Sequence, residues 1–315
     1  MELNYIILAH RLPKNLSRFI LRLQDDNTYF YVHIDKKSKI APFQNELKEL
    51  KNVFILEERI DVIWSDITGV QATLVALKKI IEHKRNGYCI FASGQDYPIK
   101  PIAEIRSFFE TNYGKNFIDV SPIQDVWKNN GYKKRIFNYN IHPFPKLRTW
   151  YSFSDIYSSD FYTIKNLKNL TKLTLNSSDR SVLKYIFIKR RHPNYIKPFG
   201  GSAWWALPIE TISEILKFLT SNKSFEIYHK YTHVPDEIFF QSIIAHLFPK
   251  DKISKSITYV NWERENCPLP VTFKSEEDFK ELKQTDCLLA RKFEGQTDIL
   301  DKIDKELINL HSEGF

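Results

Sequence analysis

The amino-acid sequence predicts an α/β fold with a mostly parallel central sheet flanked by helices. Over the first 120 of its 315 residues, short apolar runs alternate with segments whose apolar residues recur at helical spacing. Strands of a parallel sheet are covered on both faces, so they read as continuous apolar runs, and each parallel pair needs a crossover connection. With 43% hydrophobic residues, the chain can bury a sizeable core, as one large domain or two tightly joined lobes.

The first elements follow from apolar runs with polar flanks. Residues 3–9 and 28–34 predict two buried strands, and the segment between them, 13–24, has the spacing of an amphipathic helix. A third strand is predicted at 53–56. Strand, helix and strand in repetition favour a sheet with crossover helices on its faces.

Further helices are predicted from apolar periodicity and from proline. One helix is predicted before the strand at 88–92, because apolar residues recur there at helical spacing. They are Ile67, Val70, Leu74, Leu77 and Ile81. Pro101 and Pro208 each begin another helix, since proline suits the first helical turn. The tail from about 297 predicts one more amphipathic helix, whereas 121–198 shows few clean periods.

Positive charge is concentrated in one part of the chain. Residues 128–197 hold 15 Lys and Arg against 3 Asp and Glu, while the remainder holds 31 against 35. This basic segment is interleaved with aromatic residues. It could face an anionic lipid surface, a charged glycan or nucleic acid, or it could be an ordinary solvated surface with its aromatic rings turned inward.

Polar clusters follow two of the predicted strands. His33 and Asp35 end the second strand, and Ser93 and Asp96 end the strand at 88–92. Ligands of open α/β sheets bind beyond the carboxyl ends of the strands, so we expect both clusters at one crevice. Ordinary turn chemistry would also account for Asp35, since a strand end needs it in any protein.

The tripeptide Pro235-Asp236-Glu237 stands directly before an apolar run of helical spacing. It predicts a helix N-terminus, with Asp236 as the cap and Glu237 in the first turn. There the helix dipole favours the ionised carboxylate that a general base needs. Plain capping, without catalysis, is the alternative interpretation of the same pattern.

Several short motifs occur in one order along the chain. They are His33-Ile34-Asp35-Lys36-Lys37-Ser38, Ser93-Gly94-Gln95-Asp96-Tyr97-Pro98, Gly200-Gly201-Ser202-Ala203-Trp204-Trp205, the tripeptide at 235–237, Asn261-Trp262 and Ala290-Arg291-Lys292-Phe293. This ordered set resembles the core-2/I-branching N-acetylglucosaminyltransferases and peptide O-xylosyltransferases, glycosyltransferase family 14. The resemblance spans most of the chain and points to a bacterial member.

The resemblance implies a single glycosyltransferase domain of GT-A-like, nucleotide-sugar-binding fold. It implies a nucleotide-binding half at 1–120, an acceptor-side basic aromatic segment at 121–198, and a catalytic and diphosphate-binding half at 199–315. Glu237 matches the catalytic base of an inverting enzyme. The expected donor-binding residues are His33, Asp35, Ser93, Asp96, Gly201, Ser202, Trp204, Arg291 and Lys292.

Donor binding has a chemical rationale at several of these positions. Arg291 and Lys292 match the family's basic pair, which faces the diphosphate in place of a metal. Gly201 lets the backbone approach the donor sugar closely, and one of Trp204 and Trp205 could stack on a sugar while the other lies in the core. No Asp-x-Asp string occurs in the sequence, so we expect no metal and no cofactor.

The expected partners are a UDP-sugar donor, carrying GlcNAc or xylose, and a glycan or lipid-linked glycan acceptor. No leader or anchor is visible at the N-terminus, and three cysteines without a C-x-x-C pair favour a reducing compartment. We therefore expect a cytoplasmic enzyme with peripheral contact to the anionic inner membrane face, and no nucleic-acid ligand.

Two other functional classes fit parts of the pattern. A non-catalytic carbohydrate- or nucleic-acid-binding protein could keep the fold and use the basic segment, but it has no need for both Glu237 and the Arg291-Lys292 pair. A nucleotide-dependent oxidoreductase would explain the α/β pattern. However, no Gly-x-Gly-x-x-Gly follows the first strand.

Overall fold

The computed structural model describes residues 1–144, 149–177, 180–262, 270–295 and 297–308. Cys267 and the basic residues Lys146 and Arg148 lie outside the described residues. Within the described part of the chain, no helix is both long enough and apolar enough to cross a membrane.

The strands are short outside the first half of the chain. In chain order they are β1 Leu3–Ala9, β2 Thr28–Ile34, β3 Val53–Ile55, β4 Tyr88–Ser93, β5 Asp96–Pro98, β6 Asn116–Ile118, β7 Ser121–Pro122, β8 Tyr139–Phe144, β9 Thr149–Phe153, β10 Phe199–Gly200, β11 Trp205–Pro208, β12 Ile253–Ser254, β13 Thr258–Val260 and β14 Leu289–Arg291.

The α-helices lie between these strands, except for α12, which follows the last of them. They are α1 Pro13–Leu23, α2 Ala41–Leu47, α3 Thr68–Glu82, α4 Ile102–Thr111, α5 Ile123–Val126, α6 Gly131–Ile136, α7 Ile164–Asn176, α8 Ile209–Ser221, α9 Lys223–His229, α10 Phe239–Leu247, α11 Glu276–Gln284 and α12 Thr297–Ile303. Helical turns of 3-10 type occur at Ser159–Tyr162, Arg180–Phe187, Pro235–Glu237 and Lys250–Lys252, and a π-helical turn at Asp304–Ile308.

The central sheet has seven strands in the order β12-β6-β11-β4-β1-β2-β3. Four of its six neighbouring pairs are parallel, and β11 runs antiparallel to both of its neighbours. The predicted α/β class with a mostly parallel sheet is therefore confirmed. The strands predicted at 3–9 and 28–34 are found with those bounds.

Helices cover both faces of this sheet because its central strands are apolar on both sides. Tyr5 and Ile7 of β1 face one core, which α1, α4, α11 and α12 cover. Ile6 faces the other core, which α3, α8 and α10 cover. In α1 the buried residues recur at helical spacing, as predicted, and they are Leu16, Phe19, Ile20 and Leu23, with Ser17 beside them.

A second, three-stranded sheet joins the C-terminal part of the chain to the end of the central sheet. Its order is β13-β14-β5, and β14 runs antiparallel to β5 with Arg291 opposite Asp96. This register brings a basic residue from the last part of the chain against the loop that follows β4. The sequence pattern contains no signal for this pairing.

The basic segment forms a small layer with its own apolar cluster. The hairpin of β8 and β9 packs against α7 around Tyr139, Phe153 and Leu173. Arg190, which lies in the basic run Lys189-Arg190-Arg191, is buried. It donates to the Tyr231 carbonyl at 2.7 Å and to the Thr232 hydroxyl at 2.7 Å, so it anchors this layer to the main fold.

Candidate functional site

The two predicted polar clusters lie at one edge of the central sheet. Leu8 of β1 pairs with His33 of β2 on one side and with Ser93 of β4 on the other. All three strands are parallel, so their carboxyl ends meet there, as the alternation of strands and helices indicates. This edge is where ligands of α/β sheets bind.

His33 and Asp35 shape the chain after β2. The ring of His33 is fully buried, its Nε2 accepts the Ile60 backbone N–H at 2.8 Å, and burial lowers its pKa. Asp35 accepts the backbone N–H of Lys37 at 2.9 Å. Arg59 donates to the Asp35 carbonyl at 2.7 Å. These bonds hold one wall of the crevice, and both residues remain predicted donor contacts.

Asp96 is the centre of a buried polar cluster. Its Oδ2 accepts the Ser93 backbone N–H at 2.7 Å and the Trp204 indole N–H at 2.8 Å. Its Oδ1 accepts the Ser93 hydroxyl at 2.8 Å and lies 3.5 Å from Nη1 of Arg291. Burial raises the pKa of this carboxyl, and Arg291 and the hydrogen bonds oppose the rise. The structure therefore joins Ser93, Asp96, Trp204 and Arg291 in one unit.

Arg291 lies between the Trp204 ring and two carboxyl groups. Its guanidinium carbon is 3.9 Å from the centre of that ring, and its Nη1 is 3.5 Å from the Ser93 hydroxyl. Burial lowers its pKa, while the charges of Asp96 and Asp236 act against that decrease. Its buried Nε–H has no hydrogen-bond partner within the described ranges. A buried cation with a donor left over suits an anionic ligand.

Lys292 has a different environment from its neighbour. Its ammonium pairs with Glu294, which also accepts from Arg11 at 2.8 Å and from the Gln95 side chain at 3.2 Å. The predicted basic pair is thus two separate groups, a buried guanidinium and a lysine held in a carboxylate network. Of the two tryptophans, Trp205 is core, with 1% of its surface exposed, and Trp204 is the one in the crevice.

The predicted helix start at Asp236 is wrong. Residues 235–237 form a separate 3-10 turn, Val234 has a φ of 49°, and α10 begins only at Phe239. No side chain caps the start of the 3-10 turn at 235–237 or the start of α10. Ile238, with a φ of −131°, breaks the path between the turn and the helix. Glu237 therefore precedes the helix, and the expected stabilisation by the dipole of its first turn does not apply.

Burial decides the protonation of the two adjacent acids. Burial raises the pKa of Asp236 and that of Glu237. The charge of the neighbouring Asp236 raises the pKa of Glu237 further. The charge of Arg135 acts in the opposite direction on Glu237. Glu237 thus resembles a tuned acid-base group more than a solvated cap, because desolvation moves its pKa toward neutral pH.

Arg135 was missed as a site residue by sequence reasoning. It stands in a run of basic residues that predicts a surface, yet its guanidinium lies 4.3 Å from the centre of the Trp127 ring and burial lowers its pKa. The only sequence signal is the tryptophan eight residues upstream. Because its charge interacts with Glu237, it belongs to the acidic end of the crevice.

The glycines at 200 and 201 are required by protein contacts. A Cβ on Gly201 would lie 1.8 Å from the Asp119 carbonyl oxygen, and one on Gly200 would lie 2.6 Å from the Trp127 ring. The Gly201 N–H donates to the Glu237 carbonyl at 3.0 Å, and the Gln241 amide donates to the Ser202 carbonyl at 2.7 Å. This segment therefore fixes the turn that carries Glu237.

Across residues 1–308, leaving out the undescribed gaps, no group of three or more His, Cys, Asp and Glu side chains has the arrangement of a metal site. The polar groups described in the crevice include the guanidinium of Arg291, the carboxyls of Asp96, Asp236 and Glu237, and the Trp204 indole, with Arg135 at the acidic end. The arrangement can bind an anion at Arg291 and offer a proton acceptor at Glu237.

Comparison with known proteins is consistent with this geometry. The family model described as Branch, Core-2/I-branching enzyme, matches residues 3–284. The chain is 28% identical over 116 residues to xylosyltransferase sqv-6 of Caenorhabditis elegans, covering 35% of this chain and 14% of that protein. It is 26% identical over 125 residues to human xylosyltransferase 2, covering 38% and 14%.

A branching enzyme is also among the relatives. The beta-1,3-galactosyl-O-glycosyl-glycoprotein beta-1,6-N-acetylglucosaminyltransferase 3 of Bos taurus is 26% identical over 136 residues, covering 42% of this chain and 30% of that protein. The chain thus spans less than a third of the length of the curated relatives it matches. The family model, in contrast, matches nearly the whole of it, and the chain belongs to the Core-2/I-branching enzyme family.

Proposed function

We propose that this protein is an inverting glycosyltransferase that moves GlcNAc or xylose from a UDP-sugar to a hydroxyl of a glycan acceptor. The observation that carries the proposal is the buried Arg291, with an N–H left without a partner in the described chain, at the same crevice as the buried acid Glu237. Family membership supports the reaction class. The identity of the sugar comes from the named activities of the relatives.

The proposed mechanism assigns one charge to each side of the reacting carbon. Glu237 takes the proton of the acceptor hydroxyl while that oxygen attacks the anomeric carbon. The bond from this carbon to the diphosphate oxygen breaks on the opposite face, and UDP leaves with the electron pair. Arg291 stabilises the charge that develops on the diphosphate, held in place by Asp96 and by the face of Trp204.

A screen of nucleotide sugars tests this proposal directly. The protein is incubated with UDP-GlcNAc, UDP-xylose, UDP-glucose and UDP-galactose, and slow hydrolysis is followed by UDP release. We expect one UDP-sugar to be hydrolysed faster than the others. Absence of hydrolysis and of UDP binding for all four would contradict the proposal.

We further propose that transfer does not depend on a metal ion, because Arg291 supplies positive charge where the diphosphate would lie. Transfer is therefore expected to persist in excess EDTA at close to its rate in untreated enzyme. The measurement is UDP release with and without chelator, before and after adding manganese. Loss of activity that manganese restores would overturn this prediction.

Contact with an anionic membrane is the proposed use of the basic segment. Its outer surface exposes large apolar side chains beside lysines: Ile164 is 73% exposed, Leu175 79% and Phe187 66%. Apolar groups interspersed with Lys and Arg suit the interface of an anionic bilayer. A cytoplasmic enzyme acting on a lipid-linked glycan at the inner membrane face would use such a surface.

Replacing four exposed basic residues should weaken this contact. Lys133, Lys134, Lys189 and Arg191, changed together to Gln, are expected to reduce the binding constant for anionic liposomes by up to about a thousandfold, at roughly 1 kcal/mol per charge. Arg135 and Arg190 are left intact because both are needed inside the fold.

The matched control changes four exposed lysines elsewhere: Lys250, Lys252, Lys274 and Lys280. It should sediment like the wild type with anionic liposomes. At high salt, the control variant and the wild type should lose liposome binding to the same extent. Equal sedimentation of wild type with neutral and anionic liposomes would refute the membrane contact.

A further inference from the structure

Three aromatic rings cluster at the acidic end of the crevice, two of them stacked and the third tilted against them. Trp150 of β9 lies 4.6 Å from His233 with an interplanar angle of 21°, and Trp64 lies 5.6 Å from Trp150 and 6.2 Å from His233. We call Trp64, Trp150 and His233 the aromatic platform. Trp64 is 46% exposed, so the platform offers an open indole to solvent. The described parts of the chain leave this surface uncovered.

Hydrogen bonds tie the platform to the turn that carries Glu237. His233 Nδ1 lies 2.7 Å from the Ser65 hydroxyl, and the backbone N–H of Val234 donates to the Ser65 carbonyl at 3.1 Å. The Glu237 N–H in turn donates to the Val234 carbonyl at 3.2 Å. Ser65, which follows Trp64, and Val234, which follows His233, are therefore fixed relative to the proposed base.

The platform is uncharged despite its basic surroundings. Burial, with smaller contributions from the charges of Arg135 and His142, lowers the pKa of His233 to about 4. Arg135 acts on both His233 and Glu237, which places the two near the same guanidinium. A neutral aromatic face suits the C–H face of a pyranose ring, whereas an anion would seek Arg291 instead.

A large open cleft of about 1180 Å³ adjoins the platform. Its lining includes Ile63 and Asp66, on either side of Trp64 in the chain, and His142, whose ring lies 6.5 Å from Trp150. The cleft then extends between α3, α9 and the basic segment. Its volume is in the range of ligand pockets or above it, so there is room for more than one sugar.

We infer that the aromatic platform binds the acceptor. A pyranose residue of the acceptor glycan stacks on Trp64, supported from behind by Trp150 and His233, and presents its hydroxyl toward Glu237. The rest of the glycan occupies the adjoining cleft. This inference rests on the proposed function, and it names the acceptor subsite as a neutral, aromatic one that is separate from the donor groups at Asp96 and Arg291.

The first test separates acceptor binding from donor binding. Trp64→Ala is expected to raise the KM for acceptor at least tenfold, while the Kd for UDP measured by calorimetry stays the same. Trp64→Phe, which keeps an aromatic face, should recover most of the acceptor affinity. Tyr113→Ala removes an exposed aromatic ring outside the basic segment and should change neither quantity.

The result that overturns the inference is a wild-type acceptor KM in Trp64→Ala. A parallel loss of UDP affinity would also overturn it, because the platform would then support the donor site or the fold. Thermal melting of each variant shows whether the fold is intact. Trp150→Ala provides a second variant, and it should follow Trp64→Ala.

The second test needs no turnover. Saturation-transfer difference NMR is recorded with methyl glycosides of galactose, N-acetylgalactosamine, xylose and glucose. We expect signals on the C–H face of at least one glycoside with wild type, and their loss with Trp64→Ala. No signal from any glycoside would contradict the platform even if UDP-sugar is hydrolysed. Signals without any UDP-sugar hydrolysis would instead contradict the proposed transferase and leave a glycan-binding site.

Discussion

Glu237→Gln is expected to lower sugar transfer by about a hundredfold or more, the usual scale for loss of a general base. Folding and UDP binding should persist, because glutamine keeps the shape and the Gly201 bond is to the backbone carbonyl. The effect is measured as kcat/KM for transfer, with the Kd for UDP and the melting temperature as checks.

The pH profile gives an independent test of the same residue. A base works in its deprotonated form, so kcat/KM should rise with pH through the pKa of Glu237. Burial and the charge of Asp236 raise that pKa from the ordinary value of 4.5 to about 8, so the rise in kcat/KM should lie in the weakly alkaline range. Glu237→Gln should lose this limb of the profile.

A matched control is Glu214→Gln, an exposed glutamate on α8. It should transfer sugar at the wild-type rate and keep the wild-type pH profile. Transfer at the wild-type rate by Glu237→Gln would mean that the buried acid is structural, and the proposed mechanism would then be wrong.

Arg291→Ala should weaken UDP binding by roughly 10- to 100-fold, since hydrogen bonds to charged groups contribute about 1.5–3 kcal/mol. Binding of uridine, which has no phosphate, should change much less. The physical reason is that, in the proposed mechanism, the buried and unpartnered Nε–H of Arg291 faces the diphosphate and not the nucleoside. Calorimetry with UDP and with uridine measures both affinities on the same protein.

Two further variants make this prediction specific. Arg291→Lys keeps the charge and loses the planar fork, so it should bind UDP with intermediate affinity and keep Asp96 paired. Lys292→Ala should have a smaller effect, because its ammonium is already paired with Glu294. If Arg291→Lys lost affinity for UDP and for uridine equally, Arg291 would support the fold and would not face phosphate.

The sequence predicts the first half of the sheet well because its signals are local. Strands β1 and β2 are predominantly apolar, and a parallel strand buried on both faces needs that pattern. The crevice could be predicted too, since His33 and Ser93 lie at the carboxyl ends of such strands. Because β2 and β4 both run parallel to β1, their carboxyl ends lie at the same edge of the sheet, which brings His33 and Ser93 there.

The rest of the site depends on contacts between distant parts of the chain. Nothing in the sequence near Arg291 indicates that it pairs with Asp96, and Arg190 reads as a surface charge although it is buried. The helix prediction at Asp236 failed because Val234 adopts a left-handed conformation, which is uncommon for a β-branched residue. Trp64 lies in a loop without periodicity, so no pattern singled it out.

The antiparallel pairing of β14 with β5 also sets the order in which the protein can fold. Ser93 and Arg291 are 198 residues apart, so the ribosome needs roughly 10–40 s after making the first to supply the second. All strands of the central sheet have been synthesised by residue 254. Until Arg291 has been synthesised, the Asp96 carboxylate lacks its cation. Closing a loop of 198 residues is also slow, because bringing its ends together costs conformational entropy. The proposed donor site is therefore completed only after the central sheet has been synthesised, and a nascent chain can contain all seven strands of that sheet before Arg291 reaches Asp96.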